Sequence, residues 1–152
     1  MTGRLFALAF VLAALSAAPG QAQPAYHNAC TAEDLEGVWQ LVSIEAAEPG
    51  VEAFYKAHPI EYMRFKPNGD YIYVAMDAEL PDLAAVNASL DRADRADGVT
   101  YKVKVEGVGD LTILRNGRPF QRFTCIISDR RMNWHEARGM PRLNRSHARV
   151  RD

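Results

Sequence analysis

Residues 99–128 read VTYKVKVEGVGDLTILRNGRPFQRFTCIIS and carry the plainest structural signal in the chain. Apolar and polar side chains alternate over residues 99–106, which is typical of a strand with one buried face. Residues 107–110 turn the chain into a second strand, and Asn116-Gly117 is a dipeptide favoured in two-residue hairpin turns. A third strand follows at residues 120–128. Three successive strands joined by short turns predict an antiparallel meander.

The strand pattern continues towards both ends of the chain. Further strands are predicted at residues 37–45, 60–66, 71–76 and 132–138, with a weak eighth strand near 143–150 and one or two helical turns at 51–58. Seven or eight hairpin-linked strands in about 130 residues predict an all-β fold, an antiparallel up-and-down barrel of about eight strands that exposes no edge. A two-sheet sandwich is the alternative.

One segment, residues 79–97, breaks the strand pattern. Leu83, Val86 and Leu90 recur at helical spacing, and β-branched residues are scarce. We predict one amphipathic helix inserted between strands, with Pro81 in its first turn. The helix either covers a mouth of the barrel or lies on the surface without a role.

Residues 1–22 have the layout of a secretory signal peptide. Arg4 precedes an unbroken run of apolar and small residues at 5–18, and small residues follow at the end of the segment. The run is shorter than the roughly 20 residues of a membrane-spanning helix. We therefore expect a mature chain that begins at Gln23, has no membrane span, and is periplasmic or secreted.

Export affects the interpretation of the two cysteines. In an oxidising compartment Cys30 and Cys125 are expected to form a disulfide bond. The bond would close a loop of about 95 residues, for which the chain-entropy model gives roughly 4–5 kcal/mol. Two free thiols, one of them reactive, are the alternative.

Charge is unevenly distributed along the chain, although the formal net charge is -1. Residues 23–97 are acidic, whereas residues 130–152 carry seven arginines and two acidic residues. We predict an Arg-rich C-terminal tail at residues 141–152, which either pairs with the acidic half of the same domain or binds an acidic partner. The arginines are too loosely spaced to indicate nucleic-acid binding.

Two short motifs resemble those of bacterial lipocalin-like domain proteins, which have calycin-type barrels. They are the Gly37-Val38-Trp39 start of the first strand and the Phe65-Lys66-Pro67-Asn68-Gly69 hairpin. The resemblance implies a barrel at residues 35–140, preceded by an N-terminal lead at residues 23–34. It also implies a structural pair at the closed end of the barrel, where an arginine from a late strand lies across Trp39. Arg138 is the candidate for this arginine, held by a cation–π contact.

Aromatic residues on the predicted strands are the most function-like feature. Facing inwards, they would line an apolar pocket with a few polar tips, or they would simply fill the barrel as core. The candidate ligand-binding residues are Trp39, Tyr62, Tyr71, Tyr73, Tyr101, Phe120 and Trp134.

The sequence contains no recognisable catalytic, metal-binding or cofactor-binding motif. The four histidines are scattered, and neither a nucleophile elbow nor a phosphate-binding glycine loop is present. Glu136 shares a strand face with Met132 and Trp134, so its carboxyl is expected to have a raised pKa or an arginine partner.

These observations predict an exported lipocalin-like protein that binds a small apolar or amphipathic molecule. One alternative is a periplasmic protein-binding or inhibitor module with a filled barrel. The other is a small isomerase or lyase that uses Glu136 or Tyr101 inside the cavity.

Overall fold

A computed structural model describes residues 28–96, 98–128, 130–137 and 143–151. The strands are β1 Asn28–Ala29, β2 Gly37–Ala46, β3 Ile60–Phe65, β4 Tyr71–Met76, β5 Tyr101–Glu106, β6 Asp110–Arg115, β7 Arg118–Ser128, β8 Arg131–Glu136 and β9 Leu143–Arg149. The helices are α1 Ala32–Leu35, α2 Pro49–Ala57 and α3 Leu83–Ala96. The predicted signal peptide at residues 1–22 and the candidate Arg138 lie outside the described residues. None of the helices in the described ranges is long and apolar enough to cross a membrane.

The strands follow one another around an up-and-down barrel, which confirms the predicted fold class. Each pairs antiparallel with its neighbours in the order β4-β3-β2-β9-β8-β7-β6-β5, so β9 returns to lie beside β2. The two ends of this sheet, β4 and β5, meet at a bridge between Asp70 and Lys102. Beside that bridge, the Val103 N–H donates to the Gly69 carbonyl at 2.8 Å.

The turns predicted at Asn68-Gly69 and Asn116-Gly117 are present, and each depends on backbone in the left-handed region. Between β3 and β4, Gly69 has φ +81°, and the Asp70 N–H donates to the Asn68 side chain at 3.0 Å. Between β6 and β7, Asn116 and Gly117 have φ of 50° and 76°. This double left-handed pair matches the twist of the flanking strands.

The predicted inserted helix is confirmed, and α3 packs on the outside of the barrel. Its buried residues Val86 and Leu90 contact Tyr62 of β3 and Ile72 of β4. Ion pairs hold it in place, including Arg64 with Asp91 at 2.6 Å. The helix therefore covers neither mouth. It begins two residues after Pro81, because the Asp82 side chain accepts the Ala85 N–H at 2.8 Å and caps the first turn.

The segment predicted as an Arg-rich tail contains β9, so the barrel extends past residue 140. β9 pairs with β2 on one side and β8 on the other. Its inward positions are Leu143, Arg145 and His147, all buried. Strand signals depend on apolar residues at every second position, and here two of the three are charged or polar. The strand signal over residues 143–150 is weak because β9 turns polar side chains towards the inside of the barrel.

A tryptophan–arginine pair closes one end of the barrel, and the arginine is Arg149 of β9. Its guanidinium lies 4.5 Å from the centroid of the Trp39 ring. It also donates to the carbonyls of Glu36 at 2.6 Å and Asp34 at 2.8 Å. Trp39 Nε1 donates to the Leu35 carbonyl at 2.7 Å. Among the described residues it is therefore Arg149 that lies across Trp39, the contact for which Arg138 is the candidate from the resemblance.

Substituting Arg149 by methionine is expected to lower the free energy of unfolding by about 1–2 kcal/mol. Methionine retains apolar contact with Trp39 but removes the cation–π contact and both hydrogen bonds to the end of α1. Urea denaturation followed by tryptophan fluorescence measures the change. The matched control is Arg151→Met, an exposed arginine two residues later that should have no effect. Equal stability of the two variants would contradict the prediction.

The Cys30–Cys125 disulfide is present, as predicted. The Cα atoms are 5.4 Å apart, and both side chains are buried in the main core. The bond sits beside the β1–β7 pairing, where the Cys30 N–H donates to the Cys125 carbonyl at 3.1 Å. It therefore ties the N-terminal lead to a central strand of the barrel.

Candidate functional site

A cavity of about 130 Å³ lies inside the barrel at the end opposite Trp39 and Arg149. At this end β2 finishes, α2 crosses to β3, and β9 begins. The residues that line the cavity are Phe54, Tyr55, Glu61, Tyr71, Tyr73, Tyr101, Ile113, Phe120, Gln121 and Arg145. Phe54 and Phe120 are about half exposed and mark its mouth.

A buried ion pair forms the polar part of the cavity wall. Arg145 Nη2 donates to Glu61 Oε1, and the two residues are 5% and 2% exposed. The Arg145 guanidinium also lies 5.6 Å from the Tyr55 ring centroid and 5.3 Å from that of Trp134. Burial raises the pKa of the Glu61 carboxyl, and the contact with Arg145 opposes the rise. Within the described ranges Arg145 Nε has no hydrogen-bond partner, whereas the guanidinium as a whole also interacts with the Tyr71 hydroxyl.

Aromatic rings run in a continuous belt from the core to the mouth. Tyr71 stacks with Phe65 at 5.1 Å between centroids and with Tyr73 at 5.7 Å. Tyr73 then meets Tyr101 edge to face at 5.7 Å, across the gap between β4 and β5. Tyr101 continues to Phe120 at 6.4 Å. Side chains thus close the barrel wall where backbone pairing between β4 and β5 stops.

The cavity residues Tyr55, Tyr71 and Tyr73 remain neutral hydrogen-bonding groups at physiological pH. Burial, followed by the neighbouring Tyr101 hydroxyl, raises the pKa of Tyr73 to about 12. Burial also raises the pKa values of Tyr55 and Tyr71. Each hydroxyl can therefore donate or accept a hydrogen bond without adding charge to the site.

Four of the candidate ligand-binding residues meet at the cavity: Tyr71, Tyr73, Tyr101 and Phe120. The other three lie elsewhere. Trp39 is at the closed end, and Trp134 is fully buried behind the cavity wall, against Phe123 at 5.2 Å. Tyr62 faces outwards under α3, because alternation along β3 turns Glu61 inwards, and its hydroxyl accepts the Leu80 N–H at 3.3 Å.

The ion pair and the contribution of α2 were not predicted from the sequence. Phe54 and Tyr55 come from a helix whose position at the mouth no local pattern indicates. Glu61 does have a local signal, since it shares a strand face with Met63 and Phe65. A charged residue on an apolar face implies a buried partner.

Glu136 is half-buried and, as predicted, has a raised pKa. Burial raises it to about 7, opposed by the charge of Arg145. Its carboxyl is outside the lining of the cavity. His58 pairs with Asp77 at 2.9 Å on the surface, and His135 is exposed. Within the described ranges, no group of three or more His, Cys, Asp or Glu residues is placed to hold a metal ion.

His147 is the second unusual polar residue inside the barrel. It is fully buried, its ring centroid lies 4.8 Å from that of Trp134, and in the described part of the chain neither ring nitrogen makes a well-aligned hydrogen bond. Burial and then the nearby Arg145 charge hold the pKa of His147 well below its ordinary value, against an opposing influence of the Met132 backbone. The imidazole is therefore neutral in the folded protein.

The neutral state of His147 predicts a loss of stability in acid. Below about pH 6.5 the unfolded chain binds a proton at this residue and the folded chain does not, so the contribution of His147 to stability falls by about 1.4 kcal/mol per pH unit. The raised pKa of Glu136 acts in the opposite direction over the same range, so the comparison with a variant isolates the contribution of His147. His147→Leu removes this dependence, a difference of about 2 kcal/mol by pH 5. Urea denaturation from pH 5 to 8 measures it. His135→Leu, at an exposed position of β8, is the matched control, and equal slopes for wild type and His147→Leu would refute the prediction.

A second, more polar cavity of about 200 Å³ lies between β4, β5 and α3. It shares Tyr71, Tyr73 and Tyr101 with the inner cavity, so these residues line both spaces. The inner cavity is the candidate site, because it combines enclosing aromatic rings with the buried ion pair.

No protein-family model matches the chain, and no curated protein matches it. Among solved structures, the chain is similar to the wild-type fluorescent protein UnaG at 15% sequence identity and a TM-score of 0.40, covering 79% of this chain and 100% of that one. A point mutant of UnaG is similar at 15% identity and a TM-score of 0.41, covering 80% and 100%. The up-and-down barrel itself is shown by the strand pairing of this chain.

Proposed function

We propose that the mature protein is an exported, lipocalin-like carrier or receptor that binds a small apolar or amphipathic molecule in the inner cavity. The observation that carries this proposal is the cavity itself: about 130 Å³ of space remains at the end of the barrel, surrounded largely by aromatic rings. Small-molecule sites are typically apolar hollows with a few placed polar groups. A fully packed barrel would have left no such space.

The polar groups of the cavity support an amphipathic ligand. The tyrosine hydroxyls of the lining can each donate or accept a hydrogen bond. Buried polar atoms are normally hydrogen-bonded, and a polar group of the ligand would supply a partner to these hydroxyls. The rings provide the apolar contact area, and these groups would orient the molecule.

Two features support export. Residues 1–22 have the composition of a signal peptide. The disulfide between Cys30 and Cys125 is the kind of bond that persists in oxidising compartments. Cell fractionation and intact mass are expected to show an extracytoplasmic protein that has lost its first 22 residues. A full-length protein in the cytoplasm would contradict this proposal.

Native mass spectrometry of the protein purified from its own compartment tests ligand binding. We expect a consistent additional small mass on the wild type. Gln121→Trp introduces a large side chain into the cavity wall and is expected to abolish that mass. The matched control, Val108→Trp, introduces the same side chain at an exposed turn and is expected to keep it. A wild-type protein that is empty and indifferent to added ligands would overturn the proposal.

A further inference from the structure

We propose that the ligand is a neutral, single-ring aromatic molecule with a hydrogen-bond acceptor, of about the size of a substituted phenol, and that carboxylates and long-chain lipids are excluded. This inference rests on the proposed binding function and specifies the chemical class of its ligand. Size, shape, charge and hydrogen bonding of the inner cavity each contribute to it.

The size of the cavity limits the buried part of the ligand to one ring. Its volume is about 130 Å³. An apolar cavity of roughly 150 Å³ in another protein accommodates benzene, whereas a single water occupies roughly 30 Å³ of liquid. A phenol-sized molecule fits this space, and a chain of ten or more carbons does not.

The shape of the wall favours a flat ligand. Six of the lining residues are aromatic, and the belt from Tyr71 through Tyr73 and Tyr101 to Phe120 places successive rings 5.7 to 6.4 Å apart. Aromatic rings prefer offset-stacked or edge-to-face neighbours at centroid distances of about 4.5–7 Å. A ligand ring can therefore continue the same packing on the cavity side.

Charge in the cavity is already balanced. Glu61 and Arg145 are the charged residues of the described lining, and they are paired with each other. A carboxylate entering beside them would be a second anion opposite one cation that is already neutralised. Burying such an uncompensated charge is costly. The nearby Glu136 carboxyl would add further negative charge when it ionises.

The tyrosine hydroxyls of the lining can fix the orientation of a neutral ligand. They belong to Tyr55, Tyr73 and Tyr101, with Tyr71 beside the Arg145 guanidinium. A phenolic oxygen or carbonyl of the ligand could accept from one hydroxyl while its own hydrogen, where present, is donated to another tyrosine oxygen. This arrangement uses the polar atoms of the site without adding charge.

Isothermal titration of the wild-type mature protein with three probes tests the inference. The probes are para-cresol, its carboxylate counterpart para-toluate, and laurate as a long-chain acid. We expect para-cresol to bind at least tenfold more tightly than para-toluate, and laurate neither to bind nor to displace para-cresol.

The variant Glu61→Gln reverses the charge argument, because it leaves Arg145 as an unbalanced cation. We expect its affinity for para-toluate to rise at least tenfold relative to its affinity for para-cresol. The control Glu52→Gln removes a negative charge from exposed α2 at the same end of the barrel and should retain wild-type selectivity. Circular dichroism verifies folding, and if Glu61→Gln does not fold, the wild-type comparison decides alone.

The outcomes distinguish failure of the ligand class from failure of the proposed small-molecule binding. Tight binding of para-toluate or laurate to the wild type would overturn the neutral-aromatic class while supporting small-molecule binding. An unchanged selectivity in folded Glu61→Gln would also overturn it. Failure of all three probes, with no native bound mass, would overturn both the inference and the proposed function.

Discussion

Replacing Cys30 and Cys125 together with alanine is expected to lower the free energy of unfolding by about 4 kcal/mol. The bond joins residues 95 positions apart, so its loss releases a long loop in the unfolded chain. For a small domain this is a large share of a total stability of about 5–15 kcal/mol. Alanine is preferred to serine because both positions are buried and a hydroxyl would lack a partner.

Urea denaturation with and without reductant provides the measurement and its control. Reductant should destabilise the wild type by about the same 4 kcal/mol and leave the double alanine variant unchanged. Hydrogen exchange should show the greatest loss of protection at Asn28–Ala29, whose pairing with β7 adjoins the bond. A wild type whose stability is insensitive to reductant would show that the bond contributes little.

Arg145→Met is expected to cost about 3–5 kcal/mol at neutral pH. It leaves Glu61, 2% exposed, with its carboxylate buried and unpaired inside the barrel. The loss in free energy of unfolding should increase with pH. Burial raises the pKa of Glu61, so the neutral acid is favoured in the folded state, and the penalty should increase as pH rises from 5 to 8.

The double variant Arg145→Met with Glu61→Leu tests whether the unpaired charge causes this loss. Two apolar side chains remove both charges, and we expect the double variant to recover to within about 1–2 kcal/mol of the wild type. Lys56→Met breaks an exposed ion pair with Glu52 and should change stability by less than about 0.5 kcal/mol. A double variant as unstable as Arg145→Met would show that the loss arises from packing.

The hairpins were predictable because each is a local event. The alternation at residues 99–106 predicted β5, and Asn116-Gly117 predicted the turn before β7. The spacing of Val86 and Leu90 predicted α3. Each signal lies within a dozen residues and depends on backbone preference or on one apolar face. The fold class followed from adding such local units in order.

The ion pair of the candidate site could not be predicted from the sequence, because it joins residues that are distant along the chain. Glu61 and Arg145 are 84 positions apart, and each taken alone is a charged residue in a strand. Only the closure of β9 against β2 brings Arg145 into the barrel. The same closure brings Arg149 onto Trp39, which explains how an arginine from the supposed tail occupies the closed end.

The sequence by itself determined an antiparallel meander with an inserted helix, the cysteine pair, and an aromatic set rich enough to line a pocket. The alternation of apolar and polar residues, turn chemistry and helical periodicity are short-range properties, and they do not depend on closure of the barrel. Only the tertiary structure decided that α3 packs outside the barrel, that Tyr62 points away from the cavity, and that β9 turns two polar side chains inwards. The reason is physical: a buried charge is tolerated only beside its partner, and that partner is supplied by barrel closure and not by any neighbouring residue.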